Sequence, residues 1–161
     1  MPKILIVGDI QFDSYPEWRS EVSKRFLNWF ESLQIEPTTE LIILGDIVEH
    51  YTNAGEVISY VSRLGDIIEK KFSKSYLLVG NHDLHLVNQK EQLAFKFLEN
   101  RKNIKIIYKE GVYTTPNGFK FLALPYRRIA DTTLDNYYSN NSDLQNCADI
   151  HFIVGHVAGA E

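Results

Sequence analysis

Four short apolar segments of this chain each run directly into a glycine followed by a residue able to bind metal. Lys3–Val7 leads into Gly8-Asp9-Ile10-Gln11, and Leu41–Leu44 into Gly45-Asp46-Ile47-Val48-Glu49. Tyr76–Val79 leads into Gly80-Asn81-His82-Asp83, and Phe152–Val154 into Gly155-His156. Glycine lets the backbone turn sharply at the carboxyl end of a strand. The side chain that follows can then point into the crevice where α/β sheets place their ligands. Asp, Asp, Asn and His converging there make a site for a hard to borderline divalent cation.

The intervals between these motifs predict strand–helix units. Ile4–Val7 is a continuous apolar run suited to a central strand buried on both faces. Trp18, Val22, Phe26, Trp29 and Leu33 recur at helical spacing and predict a helix over Glu17–Ser32, with the aromatics in the core rather than on a partner surface. Val57, Val61, Leu64 and Ile68 mark a second helix that closes on Lys70 and Lys71, cations suited to a helix C-terminus. A shorter helix is expected around Gln89–Asn100, then strands at Ile104–Ile107, Val112–Thr115 and Phe119–Leu124. Pro116-Asn117-Gly118 joins the last two as a hairpin. Thr132–Asn146 is polar, with a short helical stretch near Leu134–Tyr138, and Ile150–Val154 is the final strand. The class is α/β with a more antiparallel second half (α+β).

A chain of 161 residues with 44% apolar residues suits one domain over 1–161, and no repeat or linker divides it. The net charge of −4 provides no global basic field, although a local basic rim can still meet DNA. The single Cys147 excludes an internal disulfide framework and a cysteine-rich zinc site, and fits a reducing compartment. The N-terminus offers neither a signal peptide nor a membrane span. These features predict a soluble, cytoplasmic protein with no membrane partner.

As a set, the strand-end residues can perform phosphoryl chemistry. Asp46 has two carboxylate oxygens and can bridge two cations. Asp9 would serve one of them, and Asn81 and His156 the other. Two cations about 3.5–4 Å apart can generate hydroxide and clamp an in-line displacement at phosphorus. His82 is placed to reach an outer phosphate oxygen or the leaving group, and Asp83 is expected to hold its imidazole in one orientation.

Gly8-Asp9, Gly45-Asp46, Gly80-Asn81-His82-Asp83 and Gly155-His156 resemble the first four motifs of the calcineurin-like metallophosphoesterases. The resemblance implies an αββα sandwich of two sheets flanked by helices, and a binuclear Mn²⁺, Fe or Zn²⁺ centre that hydrolyses phosphate esters. It implies Asp9, Asp46, Asn81 and His156 as metal ligands, with Asp46 bridging, and His82 with Asp83 as the catalytic pair. Two departures stand out. Gln11 replaces the usual histidine two positions after Asp9, as a neutral oxygen ligand or merely a hydrogen-bonding neighbour. It favours Mn²⁺ or Mg²⁺ over zinc. The family's last motif, Gly-His-X-His, is absent, so the sandwich is expected to be incomplete at its C-terminal end, as a fragment or as half of a split enzyme. An open sheet edge would then drive self-association or recruit a complementing polypeptide.

Within the family, Glu49-His50 and Asp83 depart from the protein Ser/Thr phosphatase pattern. Ala123-Leu124-Pro125-Tyr126-Arg127-Arg128 resembles a stretch of SbcD-type DNA-repair nucleases, and Gly155-His156-Val157-Ala158-Gly159-Ala160 resembles their phage-encoded relatives. That resemblance implies a Mn²⁺-dependent DNA exonuclease or endonuclease subunit, dimeric and paired with an ATPase. Arg127 and Arg128 can meet phosphodiesters or remain solvated. Tyr126 can stack on a base or pack, and His50 can line the substrate channel. The competing readings are a phosphodiesterase or phosphatase for small substrates, and a catalytically impaired scaffold.

Overall fold

The computed structural model describes residues 3–50, 55–87, 90–126 and 149–156. Its first half builds a parallel sheet by successive crossovers. Strand β1 (Ile4–Val7), helix α1 (Glu17–Ser32), strand β2 (Glu40–Ile43), helix α2 (Gly55–Lys71) and strand β3 (Lys74–Leu78) follow in order. A hairpin of β4 (Leu84–Val87) and β5 (Lys90–Leu93) and a 3₁₀ turn at Lys96–Asn100 lead to β6 (Ile104–Ile107). The four parallel strands lie in the order β1-β2-β3-β6, with Val7 opposite Ile43, Ile43 opposite Leu77, and Leu78 opposite Ile107. A second sheet contains β7 (Gly111–Thr114), β8 (Lys120–Leu124) and β9 (Phe152–Gly155), with β8 antiparallel to β7 and parallel to β9.

The period-2 alternation of the strands sorts their side chains into two cores. Leu41, Ile43 and Leu77 face α1 and α2, where they meet Leu27, Phe30, Val61, Leu64 and Ile68. Ile42, Tyr76, Leu78 and Ile107 face the second sheet and pack on Phe121, Ala123 and Val154. The Phe121 ring stacks on Phe152 at 5.6 Å and takes the edge of Tyr76 at 5.3 Å. β2 is therefore buried along its whole length, and truncating a residue such as Ile42 or Leu27 to alanine costs about 2–5 kcal/mol. The architecture is mixed α/β, with two facing sheets and helices on the outer side of the first.

Three expectations are corrected. β1 is not a central strand: among the described residues it pairs only with β2, and Ile6 is 46% exposed. The buried face of α1 is Ser20, Ser23, Leu27 and Phe30, while Trp18, Val22 and Trp29 are exposed and Phe26 is partly buried. Two serines take inward positions, Ser20 with its Oγ 2.8 Å from the Tyr60 hydroxyl of α2 and Ser23 bonded to the Asp13 carbonyl, so an apolar count points to the wrong stripe. The helix expected over Gln89–Asn100 is a strand followed by a 3₁₀ turn. Its buried residues Leu93, Phe95 and Leu98 are spaced two and then three apart, which suits an extended segment closed by a tight turn. The hairpin at Pro116-Asn117-Gly118 forms as expected, with Gly118 at φ +85° and its N–H donating to the Thr115 carbonyl. The stretches Thr132–Asn146 and 157–160 lie outside the described residues.

Candidate metal centre

The first three glycine motifs end at the same edge because β1, β2 and β3 run parallel, and Gly155-His156 reaches that edge from the second sheet, where His156 meets Leu44 and Asn81. Beyond β1 and β2 the two loops stay zipped together. Gln11 N–H donates to the Asp46 carbonyl at 2.8 Å, Phe12 N–H to Ile47 at 2.8 Å, and Glu49 N–H to Phe12 at 3.1 Å. This register holds Asp9, Gln11 and Asp46 at φ +46°, +51° and +48°, in the left-handed region that non-glycine residues seldom occupy. Backbone strain of this kind concentrates at functional sites.

Asp46 is 4% exposed and stands at the centre. Its Oδ1 accepts the backbone N–H of His82 at 2.9 Å, and its Oδ2 lies 3.3 Å from His156 Nε2 and 4.0 Å from His82 Nε2. Burial pushes its carboxyl upward, but the hydrogen bonds from His156 and from the His82 N–H outweigh that and leave it below the usual range. Its hydrogen bond to Asp46 raises His156 against the opposing effect of burial. The ligand atoms of Asp9, Asp46 and His156 all lie within 4.8 Å of one another, and Asp9 is on the exposed side.

Two glycines make this approach possible. A Cβ at Gly80 would overlap Asp46 Oδ1, and a Cβ at Gly45 would come within 2.8 Å of His156 Nδ1. The donor set suits a divalent cation on its own chemistry. His156 Nδ1 is 3.1 Å from the Leu44 carbonyl, which can only accept, so Nδ1 carries the proton. In the neutral ring Nε2 then presents its lone pair toward Asn81 Oδ1 at 2.7 Å and Asp46 Oδ2 at 3.3 Å, and only the doubly protonated ring donates to Asp46. Three acceptor atoms converge with no proton to share, an arrangement that a cation or a second imidazole proton resolves.

The other candidates fall at different distances from this centre. Gln11 is exposed and fixed through its backbone N–H. His82 is half-buried, and its Nδ1 is hydrogen-bonded to the backbone carbonyl of Glu49, with its Nε2 on the Asp46 side. Asp83 does not orient that ring. Fully buried, it accepts N–H groups from Ile47 at 2.8 Å, Val48 at 3.2 Å and Gly80 at 2.8 Å, tying the second motif to the third. Burial pushes its carboxyl up to about 6 despite those bonds. His50 is largely exposed, with its ring 5.8 Å from that of His82. The Tyr126 ring packs edge-on against His156 at 6.5 Å, and its N–H donates to the Val79 carbonyl. Arg127 and Arg128 lie outside the described residues.

Sequence reasoning left Glu49 and Asp13 without a role and passed over Arg19. The available signal was Glu49's position, three residues after Asp46 on the same turn.

The family model for calcineurin-like phosphoesterases matches residues 2–159. The chain belongs to that family. No curated protein matches this phosphoesterase significantly. A solved structure, that of a protein of unknown function from Aquifex aeolicus, is similar with a TM-score of 0.48 and 16% identity, covering 99% of this chain and 81% of that one. Family membership supports metal-dependent hydrolysis of phosphoester bonds, and the Asp9, Asp46 and His156 cluster fits the divalent ions that the family binds. Among the described residues no helix of this phosphoesterase is long and apolar enough to cross a membrane.

Proposed function

We propose that this phosphoesterase cleaves phosphodiester bonds in DNA as a Mn²⁺-dependent nuclease of SbcD type. The observation that carries the reading is the convergence of Asp9, Asp46, Asn81 and His156 on one point beside the Nε2 of His82. In this reading Asp46 would be shared between two cations, with Asp9 and Gln11 holding one and Asn81 and His156 the other. The bound ions would supply a hydroxide nucleophile and charge neutralisation at phosphorus. The protein's own part is orientation and proton handling. Leu44 fixes the His156 tautomer, and Asp83 holds the two loops in register. His82 in its imidazolium form, with Nδ1–H on the Glu49 carbonyl, would present Nε2–H to protonate the departing oxygen.

The choice of DNA rests on the Leu124-Pro125-Tyr126-Arg127-Arg128 stretch and on Glu49-His50 standing where protein phosphatases carry Asp-Arg. The test is a substrate panel with Mn²⁺: single- and double-stranded DNA, cyclic nucleotides, and aryl phosphates. Cleavage of DNA that His82→Ala abolishes is the expected result. Turnover confined to cyclic nucleotides or aryl phosphates would replace DNA with a small substrate. Full activity of His82→Ala would remove His82 from its role.

A further inference from the structure

The orientation of His82 depends on a backbone carbonyl, and that carbonyl is held by a residue on a distant helix. His82 Nδ1 is hydrogen-bonded to Glu49 O, so the ring proton sits on Nδ1 and Nε2 is left facing Asp46. Glu49 is pinned from both of its other sides. Its N–H donates to Phe12 at 3.1 Å, and its carboxylate accepts from Arg19 Nη1 at 2.9 Å. The same Nη1 donates to Asp13 Oδ2 at 3.1 Å. Two carboxylates, one from each of the zipped loops, thus share a single guanidinium nitrogen. Their hydrogen bonds hold the Arg19 guanidinium firmly protonated, Glu49 contributing most.

The position of this arginine is not explained by helix stability. Arg19 lies in the first turn of α1, where the helix dipole disfavours a cation. Its guanidinium is braced 5.3 Å from the Trp18 ring. Asp13 is fixed independently: its Oδ1 accepts the Ser14 N–H at 2.7 Å, and its carbonyl accepts the Ser23 hydroxyl at 3.0 Å. Removing Arg19 would leave two carboxylates facing each other across the loop seam. Glu49 is the less anchored of the two, and its movement would carry away the carbonyl that holds His82.

We infer that Arg19 is a positioning residue that fixes the tautomer and direction of His82 through the side chain and carbonyl of Glu49. The inference rests on the proposed proton-donating role of His82 only for its effect on turnover, and the orientation itself is independent of that reading. The decisive measurement uses the metal-free protein labelled with ¹⁵N-histidine, at alkaline pH where the rings are neutral. Long-range ¹H–¹⁵N spectra report which nitrogen carries the proton, and His82→Asn identifies the His82 signals. Wild type and Arg25→Ala should hold the proton on Nδ1. Arg25 is a suitable control because it forms an exposed pair with Glu21 on the same helix. Arg19→Ala should shift the proton toward Nε2, and Arg19→Lys should restore it in part. Should Arg19→Ala fail to fold, Arg19→Gln reads the same quantity.

The second measurement uses Mn²⁺-loaded protein and phosphodiesters of graded leaving groups. A misdirected acid slows expulsion of an alkyl alkoxide, which needs a proton, far more than that of nitrophenolate. Arg19→Ala should cost about tenfold or more with the first and under about threefold with the second. An Nδ1 proton unchanged in Arg19→Ala, or an equal loss on both leaving groups, would overturn the inference. If the wild type hydrolyses no phosphodiester, the proposed function fails and the spectra alone decide the role of Arg19.

Discussion

His156 Nε2 lies 2.7 Å from the side-chain oxygen of Asn81, although the two residues are 75 positions apart in the chain. A neutral imidazole has one N–H, and that of His156 points at the Leu44 carbonyl. The close approach to Asn81 and Asp46 is met by a second proton on the imidazole or by a bound cation, and a cation would take the place of that proton. Divalent cation should stabilise the fold, because it binds the assembled site and not the unfolded chain. At about 100 times its dissociation constant the gain is about 2.7 kcal/mol, a rise in Tm of about 5–10 °C for a domain of this size. Thermal unfolding with and without Mn²⁺ measures it, and His156→Ala should remove most of the rise.

Asp83 and His82 are neighbours with separable tasks. Asp83→Ala strands the N–H groups of Ile47, Val48 and Gly80 and should cost about 2–4 kcal/mol of stability. His82→Ala removes a half-buried ring and should leave Tm nearly unchanged while lowering turnover about 10²–10⁴-fold. Calorimetry and kinetics on both variants would expose a shared role if their effects coincided.

Gly80→Ala addresses the centre without removing any donor atom. The new Cβ would overlap the Asp46 carboxylate and its backbone nitrogen, so relief requires the second motif to move. An overpacking cost of about 1–3 kcal/mol is expected, together with weakened metal affinity in a calorimetric titration. Unchanged affinity would mean that Asp46 tolerates displacement.

The link between α1 and α2 should set part of the acid limb of stability. Glu56 accepts hydrogen bonds from Tyr60, Lys24 and Ser20, which lower its carboxyl from 4.5 to about 2. A depressed carboxylate contributes stability that is present above pH 4.5 and is lost as pH falls toward 2. Glu56→Gln should therefore lose less stability than wild type between pH 5 and pH 3, as read from urea unfolding at each pH.

Trp18 and Trp29 are 62% and 52% exposed. Native-state tryptophan emission should be red-shifted and readily quenched by acrylamide, with only a small further shift on unfolding. A blue-shifted, protected spectrum would mean that α1 is covered in solution.

The convergence of Asp9, Asp46, Asn81 and His156 was legible because each follows a glycine at a strand end, and the parallel β1, β2 and β3 bring three of those ends together. The bounds of α1 and the identity of its inward face were legible to different degrees. Helical spacing located Glu17–Ser32, but Ser20 faces inward onto Tyr60 and Glu56, and Ser23 onto the backbone of Asp13. The partner of His82 was not legible, since a backbone carbonyl leaves no trace in residue type. Adjacency suggested Asp83, whose carboxylate is instead engaged by three N–H groups of the neighbouring loops. The edge position of β1 was hidden because an apolar run marks burial potential and not the number of paired neighbours.

The left-handed conformations of Asp9, Gln11 and Asp46 bear on how such a chain would change under selection. Glycine would relieve each position of about 1 kcal/mol, which at the buried Asp46 is offset by the stranded His82 N–H, so stability alone favours erasing the exposed Asp9 and Gln11 side chains. A lineage released from its chemistry would drift toward glycine there first, while its buried strands stayed intact. Those two positions are the ones to inspect in any homologue to learn whether its site is still under selection.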